Sequence, residues 1–194
     1  MGGEGSFIDM NTTIAIFSGV ALAAACGFRV FVPLLAMSLA SRFELIHFSE
    51  GFAWVGSDAA MLAFAIASAL EIAAYYLPWI DNLLDSIATP LSVVAGAIVM
   101  ASFVADMDPL FKWTMILIAG GGLAGFVQSS TVTARAISTG TTGGLANPLI
   151  ATAEVGGSAI LSVIALLLPI AGLILVVFLL LYAFFKLTRK NLAR

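Results

Sequence analysis

The sequence predicts an all-α fold: a polytopic transmembrane helical bundle of about six spans, built as a single domain over residues 1–194. Three observations predict it. The chain is 61% hydrophobic and only 10% charged, whereas a soluble domain is about a quarter charged. Its mean hydropathy is +1.11. Residues 10–28, 86–105, 113–134 and 155–185 contain no Asp, Glu, Lys or Arg, and about 20 such residues of helix cross a hydrocarbon core of about 30 Å. An outer-membrane barrel would show alternating segments of about ten residues instead.

The first hydrophobic segment, Asn11 to Ser41, is interrupted at Gly27-Phe28-Arg29-Val30-Phe31-Val32-Pro33. An amphipathic stretch follows from Arg42 to Asp58, where Phe43, Phe48, Phe52 and Trp54 alternate with Glu44, His47 and Glu50. That mixture suits a membrane–water interface. Ala59 to Pro78 forms the second segment, an acidic turn holds Asp81 and Asp85, and the third runs from Pro90 to Val104. After the break at Asp106-Met107-Asp108-Pro109, the fourth starts near Trp113 and fades into a polar, glycine-rich stretch from Gln128 to Asn147. Pro148 to Leu168 and Ile170 to Phe185 are the fifth and sixth. The uncharged run 155–185 would measure about 46 Å as one helix, too long for one crossing, and Pro169 with Gly172 marks a hairpin inside it.

Half of the basic residues (Lys186, Arg189, Lys190, Arg194) lie in the tail 186–194. Short basic segments stay in the cytoplasm, which predicts a multi-pass protein of the cytoplasmic membrane with its C-terminus inside. Six crossings then put the N-terminus inside as well; a re-entrant first segment or 128–147 stretch would reverse that. Two inverted three-span halves, 11–105 and 112–186, with broken or re-entrant helices, are one internal organisation the sequence admits. Each carries an early arginine (Arg29, Arg135) and a later glutamate (Glu71, Glu154). A repeated Pro-Leu step at Pro33, Pro90 and Pro148 is the competing pattern.

Function is sought in the groups that are costly to bury. A charge at the bilayer centre costs about 2.5–3.5 kcal/mol on insertion scales and needs a partner or a solvated cavity. Arg29, Arg135, Glu71 and Glu154 are such groups. One reading is structural, with ion pairs clamping helices; the other gives Arg29 and Arg135 an anionic cargo, with Glu71 and Glu154 balancing charge or coupling protons. Around Arg135, the hydroxyls of residues 129–142 and Gly140, Gly143 and Gly144 suggest a cradle of polar groups. Gln128, Ser130 and Thr133 would line it, with Asn147 capping a helix that starts at Pro148. The alternative for this stretch is an exposed loop. Asp81 and Asp85 lie one turn apart and would share a helix face, as a cation or proton site or as a solvated turn. Gly121-xxx-Gly125 is a close-packing motif.

Other chemistry is not expected. A formal charge of −3 gives no basic face for nucleic acid. One cysteine, Cys26, and one histidine, His47, offer no disulfide, metal site or cofactor site. Nothing resembles a Ser/His/Asp set or an HExxH helix, so an enzyme is not expected either. The residues point to a small transporter or lipid/anion flippase with an arginine site where two helical repeats meet. Its partners would be the bilayer and an anionic solute or lipid phosphate head group, and it could form a homo-oligomer. An ion channel constricted by the Ser/Thr/Gly stretch, or a non-transporting scaffold, are the alternatives.

The Gly27–Pro33 break, the Asp81–Pro90 turn and Ser138-Thr139-Gly140-Thr141-Thr142-Gly143-Gly144-Leu145-Ala146-Asn147-Pro148 together resemble an uncharacterised prokaryotic integral membrane family, the domain of unknown function 4126, over nearly the whole chain. The resemblance implies a multi-pass membrane protein and no particular activity. A looser similarity, of architecture alone, is to bacterial carriers of polyprenyl phosphate, which use membrane-embedded arginines in paired re-entrant elements.

Overall fold

A computed structural model describes residues 10–49, 51–77, 80–105 and 107–192, and every regular element among them is helical. Helix α1 (Met10–Cys26) and helix α2 (Phe31–Arg42) flank the predicted break. Helix α3 (Asp58–Ala74) is capped by Ser57, whose hydroxyl accepts from the Ala60 N–H at 3.2 Å. Helix α4 is Ile80–Val104. Helix α5 (Pro109–Thr114), a π-helical stretch (Met115–Gly122) and helix α6 (Leu123–Thr142) form one continuous helix. Helix α7 (Asn147–Leu167) and helix α8 (Pro169–Leu192) complete the chain. Residues 83–104, 109–142 and 147–167 are long and apolar enough to cross a membrane; Met10–Cys26, Phe31–Arg42 and Pro169–Tyr182 are shorter apolar helices.

The break at Gly27 reverses the chain. Ile16 and Val20 of α1 pack with Met100, Val104 and Ile116, at one end of the bundle. Beyond α2, the Ser49 N–H reaches the Ser102 carbonyl at 3.3 Å, at that same end. Between these points the chain descends to the level of Ala151, whose carbonyl accepts from Arg29, and returns. The first hydrophobic segment is therefore a hairpin that enters and leaves on one side, with Arg29 at its tip. The physical cause is local. Close approach at Gly27 leaves no room for a side chain, since a Cβ there would lie 2.5 Å from the Ala124 carbonyl oxygen. Pro33 then sits in the first turn of α2, where it lacks only an N–H that has no helical partner.

The other helices alternate in direction. Phe31 lies against Glu71 and Arg42 pairs with Asp58, so α3 runs antiparallel to α2. Gly96 and Gly121 set α4 antiparallel to the π-helical stretch and α6. Ser158 bonds the Ala25 carbonyl at 3.1 Å, while Gly172 lies against Ala21 and Ala165. This folds α7 and α8 into the antiparallel hairpin expected at Pro169. Met10 and the end of α8 consequently lie at opposite ends of the bundle. Ala21 to Cys26, all small residues except Leu22, lie at the centre of the packing with almost no exposed surface.

The sequence expectation fails for residues 128–142. The polar, glycine-rich stretch is not a loop or a re-entrant element: α6 continues through it to Thr142 and stops at Gly143, which adopts φ +64°, followed by Gly144 at +87°. Hydroxyls make the helix possible. Ser129, Ser130 and Thr133 donate to the carbonyls of Gly125, Phe126 and Ser129, four residues back, at 2.7–2.8 Å. A hydroxyl bonded within its own helix can face lipid without an unsatisfied donor.

Candidate functional site

Five ionisable side chains, four from helices and one from the break between α1 and α2, converge at the tip of the hairpin. Arg29 follows α1, Glu71 belongs to α3, Asp85 to α4, Arg135 to α6 and Glu154 to α7. Arg29 and Arg135 are each 1% exposed and Glu154 3%. The cluster lies closer to the end of the bundle that carries the Thr142–Asn147 turn: Asp85 is five residues from the start of α4 and nineteen from its end.

Glu154 is the hub. Its Oε2 forms an ion pair with the Arg29 guanidinium at 2.9 Å and accepts a hydrogen bond from the Arg135 guanidinium. Arg135 uses its other terminal nitrogen to pair with Asp85. A planar fork can bridge two acceptors in this way, where an ammonium could not hold both in fixed geometry. Arg29 also donates to the carbonyls of Phe28 and Ala151, both at 3.3 Å. Three buried atoms in the cluster have no hydrogen-bond partner: Arg29 Nε, Arg135 Nε and Glu154 Oε1.

Tyr75 joins the arginines, and sequence reasoning missed it. The Arg29 and Arg135 guanidinium carbons lie 3.9 and 4.2 Å from its ring centroid. Cations stack on an aromatic face through its quadrupole. The Tyr75 hydroxyl donates to Asp85 at 3.2 Å. Its spacing held the signal, because Tyr75 is four residues beyond Glu71 and so on the same face of a helix.

Glu71 is held differently. Its two carboxylate oxygens accept from the backbone N–H groups of Val30 and Phe31 at 2.8 and 3.1 Å. It therefore caps α2 from a different helix, satisfying donors that a helix N-terminus leaves open and meeting the positive end of the helix dipole. A cavity of about 310 Å³ opens beside it, lined by Phe31, Leu70, Glu71, Tyr75, Ile87 and Leu91 among others. It lies where α3 and α4 diverge, and Leu70 and Ile87, 65% and 55% exposed, place its mouth on the outer apolar surface.

Several expected site residues lie elsewhere. Ser130 and Thr133 are on the outer face of α6, their hydroxyls committed to helix carbonyls, so neither points toward Arg135. Gln128 is on the buried face with Thr131, Arg135 and Ser138, two turns from the arginine, and its Nε2 has no hydrogen-bond partner. Asn147 is buried, but it makes no cap: its Nδ2 donates to Thr139 Oγ1 at 3.1 Å, and Ala146 precedes the helix. Asp85 belongs to the cluster, whereas the side chain of Asp81 lies outside the described residues. No group of His, Cys, Asp and Glu suited to a metal ion occurs among the described residues.

The model of the family described as a domain of unknown function (DUF4126) matches residues 16–189, and the chain belongs to that family. No curated protein and no solved structure matches the chain.

Proposed function

We propose that this protein is a small membrane carrier of amphiphilic molecules, a transporter or flippase, in which the re-entrant hairpin and the cluster around Arg29 and Arg135 form the working site. One observation carries the reading. An apolar cavity of about 310 Å³ opens to the lipid-facing surface and ends on Glu71 and Tyr75, with both guanidiniums stacked against that same tyrosine. An acyl chain fits the cavity wall while a polar head meets the charged end. The cluster draws on both halves, 11–105 and 112–186, as a site between two moving parts would. The basic tail supports placing the end near the cluster on the cytoplasmic side of the cytoplasmic membrane.

The arginines do not stand free to bind an anion. Each already faces a carboxylate, so cargo recognition has to proceed through exchange of partners within the cluster. The saturated pairing also favours a second reading, a scaffold whose ion pairs only clamp helices.

Proteoliposomes with a fluorescent short-chain phosphatidylglycerol separate the two. The carrier moves the probe between leaflets, and Ala67→Phe, which fills the cavity without touching an ion pair, abolishes the movement while the fold persists. Movement that survives Ala67→Phe, or no movement in the wild type, excludes this site as a carrier site.

A further inference from the structure

Four of the five charged groups in the cluster are sealed in: Arg29 and Arg135 are 1% exposed, Glu154 3% and Asp85 7%. Glu71 is partly exposed, and it lines the cavity of about 310 Å³. Two guanidiniums against three carboxylates leave the cluster with one negative charge in surplus. The pairing assigns that surplus to Glu71, because Arg29 and Arg135 make their ion pairs with Asp85 and Glu154, while Glu71 is bonded by backbone N–H groups. The rest of the lining is apolar or aromatic, with Phe31, Leu70, Tyr75, Ile87 and Leu91 among it. An uncompensated charge at membrane depth is costly until a counter-charge meets it.

We propose that this cavity binds a lipophilic monocation, an onium ion whose charge is wrapped in hydrocarbon, with Glu71 as its counter-ion; the inference takes the cavity from the carrier reading above and names a ligand class for it. Three properties select that class. The surplus is a single charge, which a monovalent ion balances. The mouth lies on the outer apolar surface beside Leu70 and Ile87, 65% and 55% exposed, so the ligand enters from lipid. A metal ion or a primary ammonium would have to shed a tight hydration shell on that route, whereas an alkylated or arylated onium is weakly hydrated and its substituents match the walls. Finally, Glu71 keeps its bonds from the Val30 and Phe31 N–H groups at 2.8 and 3.1 Å while it serves. A quaternary centre has no hydrogen to donate, so the carboxylate supplies charge rather than a free lone pair. An anionic head reaches the arginines only after partners in the cluster exchange; a cation meets its counter-charge with no exchange.

The test measures equilibrium binding of tetraphenylphosphonium and tetraphenylborate to the full chain in detergent, against protein-free micelles. The two probes share size and shape and differ in the sign of their charge. The wild type binds the phosphonium saturably and takes up the borate no more than micelles do. Glu71→Gln leaves the cluster neutral while keeping an acceptor for α2, and it binds the phosphonium more weakly by about tenfold or more, with the preference for the cation gone. Ala67→Phe leaves every charge in place and fills the cavity, and it also loses the phosphonium. If Glu71→Gln does not fold, the sign preference of the wild type and its loss in Ala67→Phe decide the matter. Absence of saturable phosphonium binding, equal binding of both ions, or wild-type affinity in either folded variant overturns the proposal. Phosphonium binding in a protein that moves no lipid retains the site and removes the carrier, whereas lipid movement without saturable phosphonium binding does the reverse.

Discussion

The two ends of the bundle are held together by opposite means. Away from the cluster, α1, α4 and the π-helical stretch meet through glycine, alanine and methionine. A Cβ on Gly96 would lie 2.6 Å from that of Ala124 and 2.7 Å from the Gly120 carbonyl oxygen, so backbone rests on backbone. At the cluster, the helices are joined through long charged side chains with three orphan polar atoms. Lipid gives helices no hydrophobic reason to associate, and both solutions answer that problem, one by dispersion at close range and one by polar attraction. They differ in what they permit. The seam has one arrangement, whereas a shared carboxylate can release one partner and keep the other.

The largest break in this comparison comes from Arg135→Gln. It leaves Asp85 without its guanidinium and Glu154 with one, inside the protein. Removing one partner of a buried pair costs about 3–5 kcal/mol, so the thermal midpoint in detergent falls far below that of the wild type. A midpoint within a degree or two would mean that the carboxylates reach water, and the cluster would then not be a clamp at all.

At the seam the expected loss is smaller. Gly96→Val and Gly120→Ala each drive a side chain into backbone, since a Cβ at Gly120 would meet the Gly96 carbonyl oxygen and Met100 Cβ, both at 2.7 Å. Overpacking of this kind costs about 1–3 kcal/mol. If lipid movement is retained in these folded but weakened proteins, the seam is frame and the cluster is machinery. Loss of movement with little loss of stability would place the working hinge at the seam instead, beside the π-helical turn.

The same contrast explains what the sequence made legible. Composition alone sufficed for the membrane bundle, because buried polar backbone in lipid leaves helices as the available solution for uncharged runs. Arg29, Arg135, Glu71 and Glu154 stood out as charges in apolar surroundings; Asp85 was legible only as half of an acidic turn with Asp81, and the structure brings it to the other four. Their partners could not be read. Glu71 bonds a backbone 40 residues away rather than a guanidinium, and Arg29 pairs with Glu154 across 125 residues. Such pairings depend on helix order in space. The misreading at 128–142 has a different cause: serine and threonine favour loops in water, where their hydroxyls compete with the helix, yet the same hydroxyls return their hydrogen to the helix when lipid surrounds it. Glycine at 140 added to the loop signature, although a Cβ there would meet nothing within 4 Å.

Glycines outside the seam sharpen the comparison by reversing its sign. Gly156 and Gly157 lie in the interior of α7, and a Cβ at either would meet nothing within 4 Å. With no close approach to preserve, Gly156→Ala gains the entropy that glycine loses on folding, about 0.5–1 kcal/mol. The thermal midpoint rises slightly. A fall would reveal that another surface, such as a second copy of the chain, packs there.

The smallest effect belongs to the other ion pair. Arg42 pairs with Asp58 at the base of the hairpin, but their side chains are 53% and 79% exposed. Exposed pairs contribute about 0.2–1 kcal/mol, because water already solvates both charges and ordering two long side chains offsets the attraction. Asp58 also lies in the first turn of α3, where a carboxylate is favoured without any partner. Arg42→Ala therefore lowers the midpoint only slightly, and the difference shrinks further in molar salt, as screening predicts for exposed charges. Arg135→Gln is insensitive to salt on the same logic, since ions do not reach a group 1% exposed. If the two variants respond alike to salt, the cluster is open to solution through the cavity at α3 and α4, and Arg29 and Arg135 are accessible to cargo without any rearrangement.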